Sequence, residues 1–321
     1  MKKTGFGTTG LEVAPLSVGI GNGPLDRLGS RQARTLIQHA IESGVNLFDT
    51  SNLYRNGHAE RLLGSILNNA NEHAYVATKG GQTFREHSPA ESFLRRAALP
   101  LRNYLKRPQK RPQPITSEPA QQNQPMVNQQ VRPPSQFDRA YLESCIRLSL
   151  KRLQTNQLDF YQLHGPPPDI VNNPDIWKTL NDAKESGWIK HWGISCLSAD
   201  DANYFVNVQG CDFIQLPVNA GQGHEIEEIL GKLRDSGLGI IGRQPFGQRK
   251  LLDHPTLRAM YPSTPMRANR LLRYALFGCD IDTALAGIST VANLDANVTA
   301  ANEGPLAVEE VKEIAAAVNQ L

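Results

Sequence analysis

Residues 158–195 have the sequence LDFYQLHGPPPDIVNNPDIWKTLNDAKESGWIKHWGIS, in which two short apolar segments flank a longer amphipathic one. Leu158–His164 and Ile189–Ser195 have the length and composition of buried strands. Between them, Ile176–Ser186 has the spacing of an amphipathic helix, and Gly187 follows it, as glycine commonly follows a helix end. This stretch therefore predicts a strand, a crossover helix and a second, parallel strand.

The same alternation extends over most of the chain. The predicted strands are Ala14–Gly21, Val45–Asp49, Ala74–Lys79, Leu158–His164, Ile189–Ser195, Asp212–Val218, Leu238–Arg243 and Ile281–Gly287. The predicted helices are Ser30–Ser43, Ala59–Asn69, Asp138–Leu153, Ile176–Ser186, Ala199–Val208, Glu225–Ser236, Ala268–Phe277 and Val291–Ala301, with Val308–Leu321 outside the repeat. Eight βα units predict an α/β fold of the (β/α)8 TIM barrel type, with a doubly wound parallel sheet as the alternative.

One segment, residues 85–137, interrupts this pattern between the third strand and the third helix. From Ser92 to Phe137 there are eight basic residues and one acid, so this part carries +7 and the remainder −4. Pro108–Gln136 also contains seven prolines and eight glutamines. We therefore predict a single barrel over residues 1–321 with a long basic Pro/Gln-rich insertion, ordered over Ser92–Lys106 and mobile beyond it.

Composition excludes several classes of protein. The 321 residues carry a net charge of only +3, which does not indicate a nucleic-acid or membrane partner. No apolar run approaches the roughly 18 residues of a membrane helix, and Met1-Lys2-Lys3 precedes no apolar segment of a signal peptide. The four cysteines have neither disulfide-framework nor metal-ligand spacing, which predicts a cytoplasmic protein without a metal site. Residues 5–10 (GFGTTG) match a dinucleotide fingerprint but open no helix, so we interpret them as a hairpin turn.

Ionisable residues follow three successive strands of the predicted barrel. Asp49 and Tyr54 follow the second strand, Lys79 ends the third and His164 ends the fourth. Because the carboxyl ends of barrel strands meet at one face, these four side chains are expected to share a pocket.

These four residue types suit general acid catalysis. A free tyrosine has a pKa of about 10, which is too high for efficient proton donation at neutral pH. A nearby Lys79 ammonium would stabilise the phenolate of Tyr54 and lower that pKa, while Asp49 would keep Lys79 charged. His164 could donate a hydrogen bond to a substrate oxygen.

Several segments together resemble the aldo-keto reductase family: residues 9–16 (TGLEVAPL), 48–57 (FDTSNLYRNG), 76–79 (VATK), 149–155 (SLKRLQT), 159–164 (DFYQLH) and 193–195 (GIS). The resemblance implies a barrel that reduces an aldehyde or ketone by hydride transfer from NADP(H). It further implies that Tyr54 is the general acid, that Lys79 and Asp49 adjust the pKa of Tyr54, and that His164 orients the carbonyl.

The resemblance also implies a set of cofactor-binding residues. They are Gly19, Ile20, Asp49, Ser195, Gln215, Arg243, Gln244, Pro245, Phe246, Gly247, Gln248, Gly287, Ser289, Thr290, Asn293 and Asn297. Cys196 stands where the family usually has asparagine, and Gly287 and Asn293 stand where some members have basic residues. NADP(H) is therefore the favoured cofactor and NAD(H) a possible one.

Two other functions remain open on the sequence. Cys196 and the basic insertion would suit a regulatory or redox-sensing subunit with slow turnover, and Lys79 could form a Schiff base in an aldolase. The partner expected for a reductase is a small-molecule carbonyl substrate. The charge of the insertion favours one that is anionic or bulky.

Overall fold

Eight parallel strands close into a barrel in which each strand pairs with the next along the chain and the last pairs with the first. The computed structural model describes residues 1–21, 30–68, 74–83, 134–223 and 225–318. The barrel strands are β3 (Leu16–Gly19), β4 (Leu47–Asp49), β5 (Tyr75–Gly80), β6 (Leu158–His164), β7 (Ile189–Ser195), β8 (Phe213–Pro217), β9 (Gly239–Arg243) and β10 (Thr283–Ala286). Closure confirms the predicted TIM barrel and excludes the doubly wound sheet, which has two free edges.

Helices surround the barrel and connect successive strands. The α-helices are Ser30–Glu42, His58–Leu67, Arg139–Leu153, Pro174–Glu185, Glu225–Asp235, Pro255–Met260, Thr264–Arg273, Val291–Glu303 and Val308–Val318. The helices depart from the predicted ones in several places. Thr264–Arg273 begins earlier than the predicted Ala268, and a π-helical turn, Tyr274–Gly278, follows it. Pro255–Met260 was not predicted, although Pro255 at its first position is a typical helix start.

The predicted helix Ala199–Val208 is wrong, because only a short 3-10 helix, Asp200–Tyr204, forms there. Ser198 and Asp201 form a capping box: the backbone amide of each donates to the side chain of the other, at 3.3 and 3.2 Å. The residues that follow include asparagine and β-branched valine, which favour the α-helix weakly, so one capped turn is all that the segment sustains.

An antiparallel hairpin, β1 (Thr4–Gly5) and β2 (Glu12–Val13), precedes the barrel, as interpreted for residues 5–10. The ring of Phe6 is fully buried in contact with two barrel strands, with its centroid 5.3 Å from Phe160 and 5.6 Å from Phe213. Gly7 has φ +48° and lies so near the backbone of Gly239 that a Cβ would be 2.3 Å from its nitrogen. The hairpin therefore seals the amino-terminal end of the barrel with apolar contacts.

The described chain leaves the barrel after β5 and returns before the helix Arg139–Leu153. Gln82 and Ser135 form an isolated antiparallel bridge, and the amide of Gln136 donates to the carbonyl of Gly81 at 2.7 Å. The ring of Phe137 is buried beside Gly81. Residues 134–137 of the predicted insertion thus pack on the barrel. The remainder, including the predicted helical part Ser92–Lys106, lies outside the described residues.

A partly buried carboxylate immediately before β10 predicts a pH-dependent stability. Asp282 accepts a 2.7 Å hydrogen bond from the amide of Ile240 and a second one from the amide of Gly7. Burial, only partly offset by these bonds, raises the pKa of Asp282 to about 6. Since the folded-state pKa is above the unfolded value, its stabilising contribution is present at low pH and is lost as pH rises through 6. Between pH 4 and pH 7, wild-type protein should lose about 2 kcal/mol of unfolding free energy relative to Asp282→Asn.

Urea unfolding of both proteins at several pH values measures this difference. Asp235→Asn, at an exposed carboxylate, is the matched control and should follow the wild type at every pH. Parallel curves for wild type and Asp282→Asn would contradict the prediction.

Candidate active site

Three neighbouring strands bring the four predicted catalytic side chains together. Asp49 is the last residue of β4, Lys79 lies in β5 and His164 is the last residue of β6. Tyr54 lies in the loop between β4 and the helix His58–Leu67. The Lys79 ammonium is 5.4 Å from the centre of the Tyr54 ring, which is 5.8 Å from the His164 ring and perpendicular to it.

The centre of the cluster is a buried ion pair. Lys79 and Asp49 are 1% and 3% exposed, and the Lys79 Nζ donates to Asp49 Oδ2 at 2.5 Å and to the carbonyl of Thr50 at 3.0 Å. Burial lowers the pKa of Lys79 from its ordinary value, and the charge of Asp49 opposes this shift. The arrangement holds an ammonium at a fixed position below the Tyr54 ring.

Hydrogen bonds from two other barrel strands fix the Asp49 carboxylate. Its Oδ1 accepts from Gln162 Nε2 of β6 at 3.1 Å and from Gln215 Nε2 of β8 at 2.9 Å. Both amides are buried inside the barrel. Gln162 was not predicted from the sequence. Its signal was a single polar residue within an otherwise apolar part of β6.

The loop that carries Tyr54 has an unusual backbone. Arg55, Asn56 and Gly57 all have left-handed conformations, with φ of +50°, +53° and +75°. On the other side of the ring, Gly21 comes so close that a Cβ would be 2.2 Å from Tyr54 Cδ2. The left-handed turn of residues 55–57 and the backbone of Gly21 therefore together define the position of the phenol ring.

His164 is surrounded by groups that disfavour its charged form. Burial and the cations of Lys79 and Arg243 together lower the pKa of His164 well below its ordinary value. Its Nδ1 is 3.1 Å from the hydroxyl of Ser51, which also accepts a bond from the amide of Leu53. In the neutral tautomer whose Nδ1 accepts a hydrogen bond from the Ser51 hydroxyl, the ring carries its proton on Nε2.

Part of the predicted cofactor set is linked directly to this cluster. Ser195 Oγ donates to Gln215 Oε1 at 2.8 Å, and Gln215 reaches Asp49. Arg243, the last residue of β9, extends across β8 to donate to the carbonyls of Cys196 and Leu197 at 2.5 and 2.7 Å. Burial lowers the pKa of Arg243. These side chains line the same carboxyl-terminal face of the barrel as Tyr54.

Gly19 and Ile20 are neighbours of Asp49. Gly19 pairs with Asp49 between β3 and β4, and the amide of Ile20 donates to the Asp49 carbonyl at 2.7 Å. After Arg243, the loop Gln244-Pro245-Phe246-Gly247-Gln248 has left-handed backbone at Gln244, Gly247 and Gln248. This loop begins the 3-10 segment Gly247–Asp253.

The predicted adenine-binding residues form a separate group after β10. Thr290 caps the helix Val291–Glu303 by accepting from the amide of Asn293 at 3.1 Å, and Asn293 Nδ2 donates to Ser289 Oγ at 2.8 Å. Asn297 is buried, whereas Gly287 is exposed. All of these residues are uncharged.

The described part of the chain contains no group of three or more His, Cys, Asp or Glu side chains placed to hold a metal ion. Within the same residues, no helix is both long and apolar enough to cross a membrane.

Comparison with known proteins identifies the class to which this barrel belongs. The model of the Aldo/keto reductase family matches residues 15–319. The chain is a member of the aldo/keto reductase family, and the resemblance found in the sequence is confirmed. Membership of this family supports an oxidoreductase activity.

Individual relatives are distant in sequence, and the share of this chain that they cover differs from one to another. An uncharacterized oxidoreductase, YqkF of Bacillus subtilis (strain 168), is 22% identical over 342 aligned positions, covering 98% of this chain and 95% of its own. A 6-dehydroglucose reductase of Novosphingobium aromaticivorans is 25% identical and covers 79% of this chain and 71% of its own.

Solved structures share the fold. The holo form of aldo-keto reductase AKR11C1 from Bacillus halodurans has a TM-score of 0.76 at 23% identity, over 99% of this chain and 96% of its own. An aldo/keto reductase from Klebsiella pneumoniae, solved with NADP and acetate, has a TM-score of 0.69 at 17% identity. The match covers 98% of this chain and 94% of that one.

Proposed function

We propose that this chain reduces an aldehyde or ketone to an alcohol with NADPH or NADH, and that Tyr54 is the general acid. The observation that carries the proposal is the Lys79 ammonium, fixed by Asp49 and 5.4 Å from the Tyr54 ring. A buried cation beside a phenol stabilises the phenolate that remains after the proton has been donated.

The residues present at the barrel mouth fit a nicotinamide cofactor. Ser195 and Gln215 offer a buried hydroxyl and amide that match a carboxamide group. The left-handed backbone at Gln244, Gly247 and Gln248 is of the kind that forms anion-binding turns, which suits the phosphates of the cofactor. When bound, the cofactor supplies a hydride to the carbonyl carbon. The Klebsiella pneumoniae neighbour solved with NADP supports the same assignment.

The chain's own residues then handle the carbonyl oxygen. His164 orients it with an Nε2 proton, in the neutral tautomer whose Nδ1 accepts a hydrogen bond from Ser51. Tyr54 delivers its hydroxyl proton to that oxygen as the carbon accepts the hydride, so the product is a neutral alcohol. Lys79 balances the charge left on the phenolate until the proton is replaced from water.

The substrate class that we propose is a small carbonyl compound, and the 6-dehydroglucose reductase among the relatives supports it. The excess positive charge of residues 92–137 favours an anionic or bulky substrate. We also propose a cytoplasmic location, as four free thiols suggest. Consumption of NADPH with a panel of aldehydes, ketones and quinones tests the activity. No consumption with any of them would contradict it.

The neutral adenine-binding group predicts weak discrimination between the two nucleotides. The contacts on the 2′-phosphate would come from Ser289, Thr290 and backbone amides rather than from lysine or arginine. A charge-assisted hydrogen bond from such a cation is worth about 1.5–3 kcal/mol of binding free energy. The dissociation constants of NADPH and NADH at one ionic strength should therefore differ by less than about a thousand-fold. Asn293→Arg should increase the difference, and Asn302→Arg, at an exposed position of the same helix, is its control. A wild-type preference above that value would contradict the prediction.

The geometry gives less support to the two other functions considered. Lys79 is 1% exposed and bonded to a carboxylate, whereas a Schiff-base lysine must be accessible and partly neutral. Cys196 is fully buried, which restricts the access that a redox-sensing thiol needs.

A further inference from the structure

A second buried ion pair lies close to the Tyr54 cluster and has no part in the proton transfer. Arg152 NH1 donates to Glu60 Oε2 at 3.0 Å, and the two side chains are 2% and 0% exposed. Glu60 comes from the helix His58–Leu67, and Arg152 comes from the last turn of the helix Arg139–Leu153.

This pair connects the two segments that carry Tyr54 and Lys79. The other carboxylate oxygen of Glu60 accepts from Thr78 Oγ1 at 2.7 Å, and Thr78 immediately precedes Lys79. The Arg152 guanidinium packs on Gly57 so closely that a Cβ there would be 2.5 Å from Nε and 2.6 Å from Cζ. Gly57 ends the left-handed turn that begins directly after Tyr54.

The left-handed turn needs such support. Arg55 and Asn56 are not glycines, and left-handed backbone at such residues is retained only where the surroundings enforce it. A buried ion pair is a costly way to gain stability, since apolar side chains of similar size often serve as well. The pair instead fixes relative position, because each charged group satisfies its partner from one place only.

We propose that Arg152 and Glu60 are positioning residues, which hold the turn Arg55–Gly57 against β5 and so set the distance between Tyr54 and Lys79. The inference rests on the proposed function, because it assigns the pair a role in turnover through Tyr54. Loss of the pair should lower kcat and leave the affinity for nucleotide unchanged, since the pair touches neither Ser195 nor Gln215.

The main test replaces these three groups by apolar ones of similar shape, Glu60→Met with Thr78→Val and Arg152→Met, so that neither charge of the pair stays buried without the other. The triple variant should unfold at a temperature near that of the wild type and bind NADPH with a Kd within about twofold. Its kcat should fall about 10- to 100-fold, the scale of a displaced catalytic group. Arg147→Met, at an exposed arginine of the same helix, is the control and should keep native kcat.

A purely structural role is separated by repeating the triple substitution in a Tyr54→Phe background. If the pair acts through Tyr54, the triple substitution should change kcat there by less than about twofold. An equal loss of kcat in both backgrounds, or native kcat in a folded triple variant, would overturn the inference. If Tyr54→Phe alone keeps native kcat, the proposed function fails instead, so the two failures are distinguishable.

Gly57→Ala provides a second test if the triple variant does not fold. A Cβ at this position would displace the Arg152 guanidinium and also strain a backbone with φ +75°. Gly304→Ala, at a glycine with φ +76° and no atom within 4 Å of an added Cβ, is therefore the matched control. Gly57→Ala should lower kcat at least about 10-fold with native Kd for NADPH, and this loss should vanish in the Tyr54→Phe background. Native kcat in folded Gly57→Ala protein would overturn the inference.

Discussion

Tyr54→Phe is expected to lower kcat by at least about 100-fold while the Kd of NADPH stays within about twofold of the wild-type value. The substitution removes only the hydroxyl that we propose as the proton donor. The ring keeps its contacts with Gly21 and His164, so the loop and the pocket should be unchanged. Single-turnover reduction of a good aldehyde substrate, under conditions in which chemistry limits the rate, measures the effect.

The matched control is Tyr204→Phe, at a tyrosine that is 56% exposed on the surface, and it should keep native kcat. A Tyr54→Phe enzyme that reduces the aldehyde at a near-native rate would remove Tyr54 from the mechanism. A large increase in the Kd of NADPH would show instead that the hydroxyl contributes to nucleotide binding.

Lys79→Met is expected to reduce both activity and stability. It removes the cation beside Tyr54 and leaves the Asp49 carboxylate buried without its ionic partner. Removing one member of a buried ion pair typically costs about 3–5 kcal/mol of unfolding free energy. We expect a loss in that range, together with a fall in kcat of at least about 100-fold, measured by urea unfolding and by single-turnover kinetics.

The double variant Asp49→Asn/Lys79→Met separates the two effects. It removes the uncompensated charge, so most of the stability should return, whereas kcat should stay low because the cation is still missing. Lys178→Met is the control: its ion pair with Asp182 is largely exposed at the lysine, so the variant should unfold at nearly the same urea concentration as the wild type. Recovery of kcat in the double variant would contradict a role for the Lys79 charge.

The fold and the position of the cluster could be predicted because both depend on short-range patterns. Apolar runs alternating with amphipathic segments define βα units, and parallel strands end at one face. The side chains at the ends of β4, β5 and β6 therefore had to converge. That is where the structure places Asp49, Lys79 and His164. The two free edges of a doubly wound sheet could be excluded only by the closed sheet itself.

Contacts between distant parts of the chain could not be predicted. Gln162 and Gln215 reach Asp49 across the barrel, over sequence separations of 113 and 166 residues, and no local pattern shows which strand residues point inward. The pair of Glu60 and Arg152 is likewise 92 residues apart in sequence. The helix predicted over Ala199–Val208 is wrong for a local reason. The capping box of Ser198 and Asp201 precedes residues that sustain only one turn of helix.

The most direct test of the account is to follow the hydrogen that is transferred. NADPH carrying deuterium at both C4 positions is mixed with the protein and an aldehyde that it reduces, and the alcohol is analysed by mass spectrometry. Direct hydride transfer predicts one deuterium on the former carbonyl carbon of each product molecule, at a rate that falls at least about 100-fold in Tyr54→Phe. Alcohol without deuterium on that carbon, or nucleotide that binds but is never oxidised by any carbonyl compound, would contradict it.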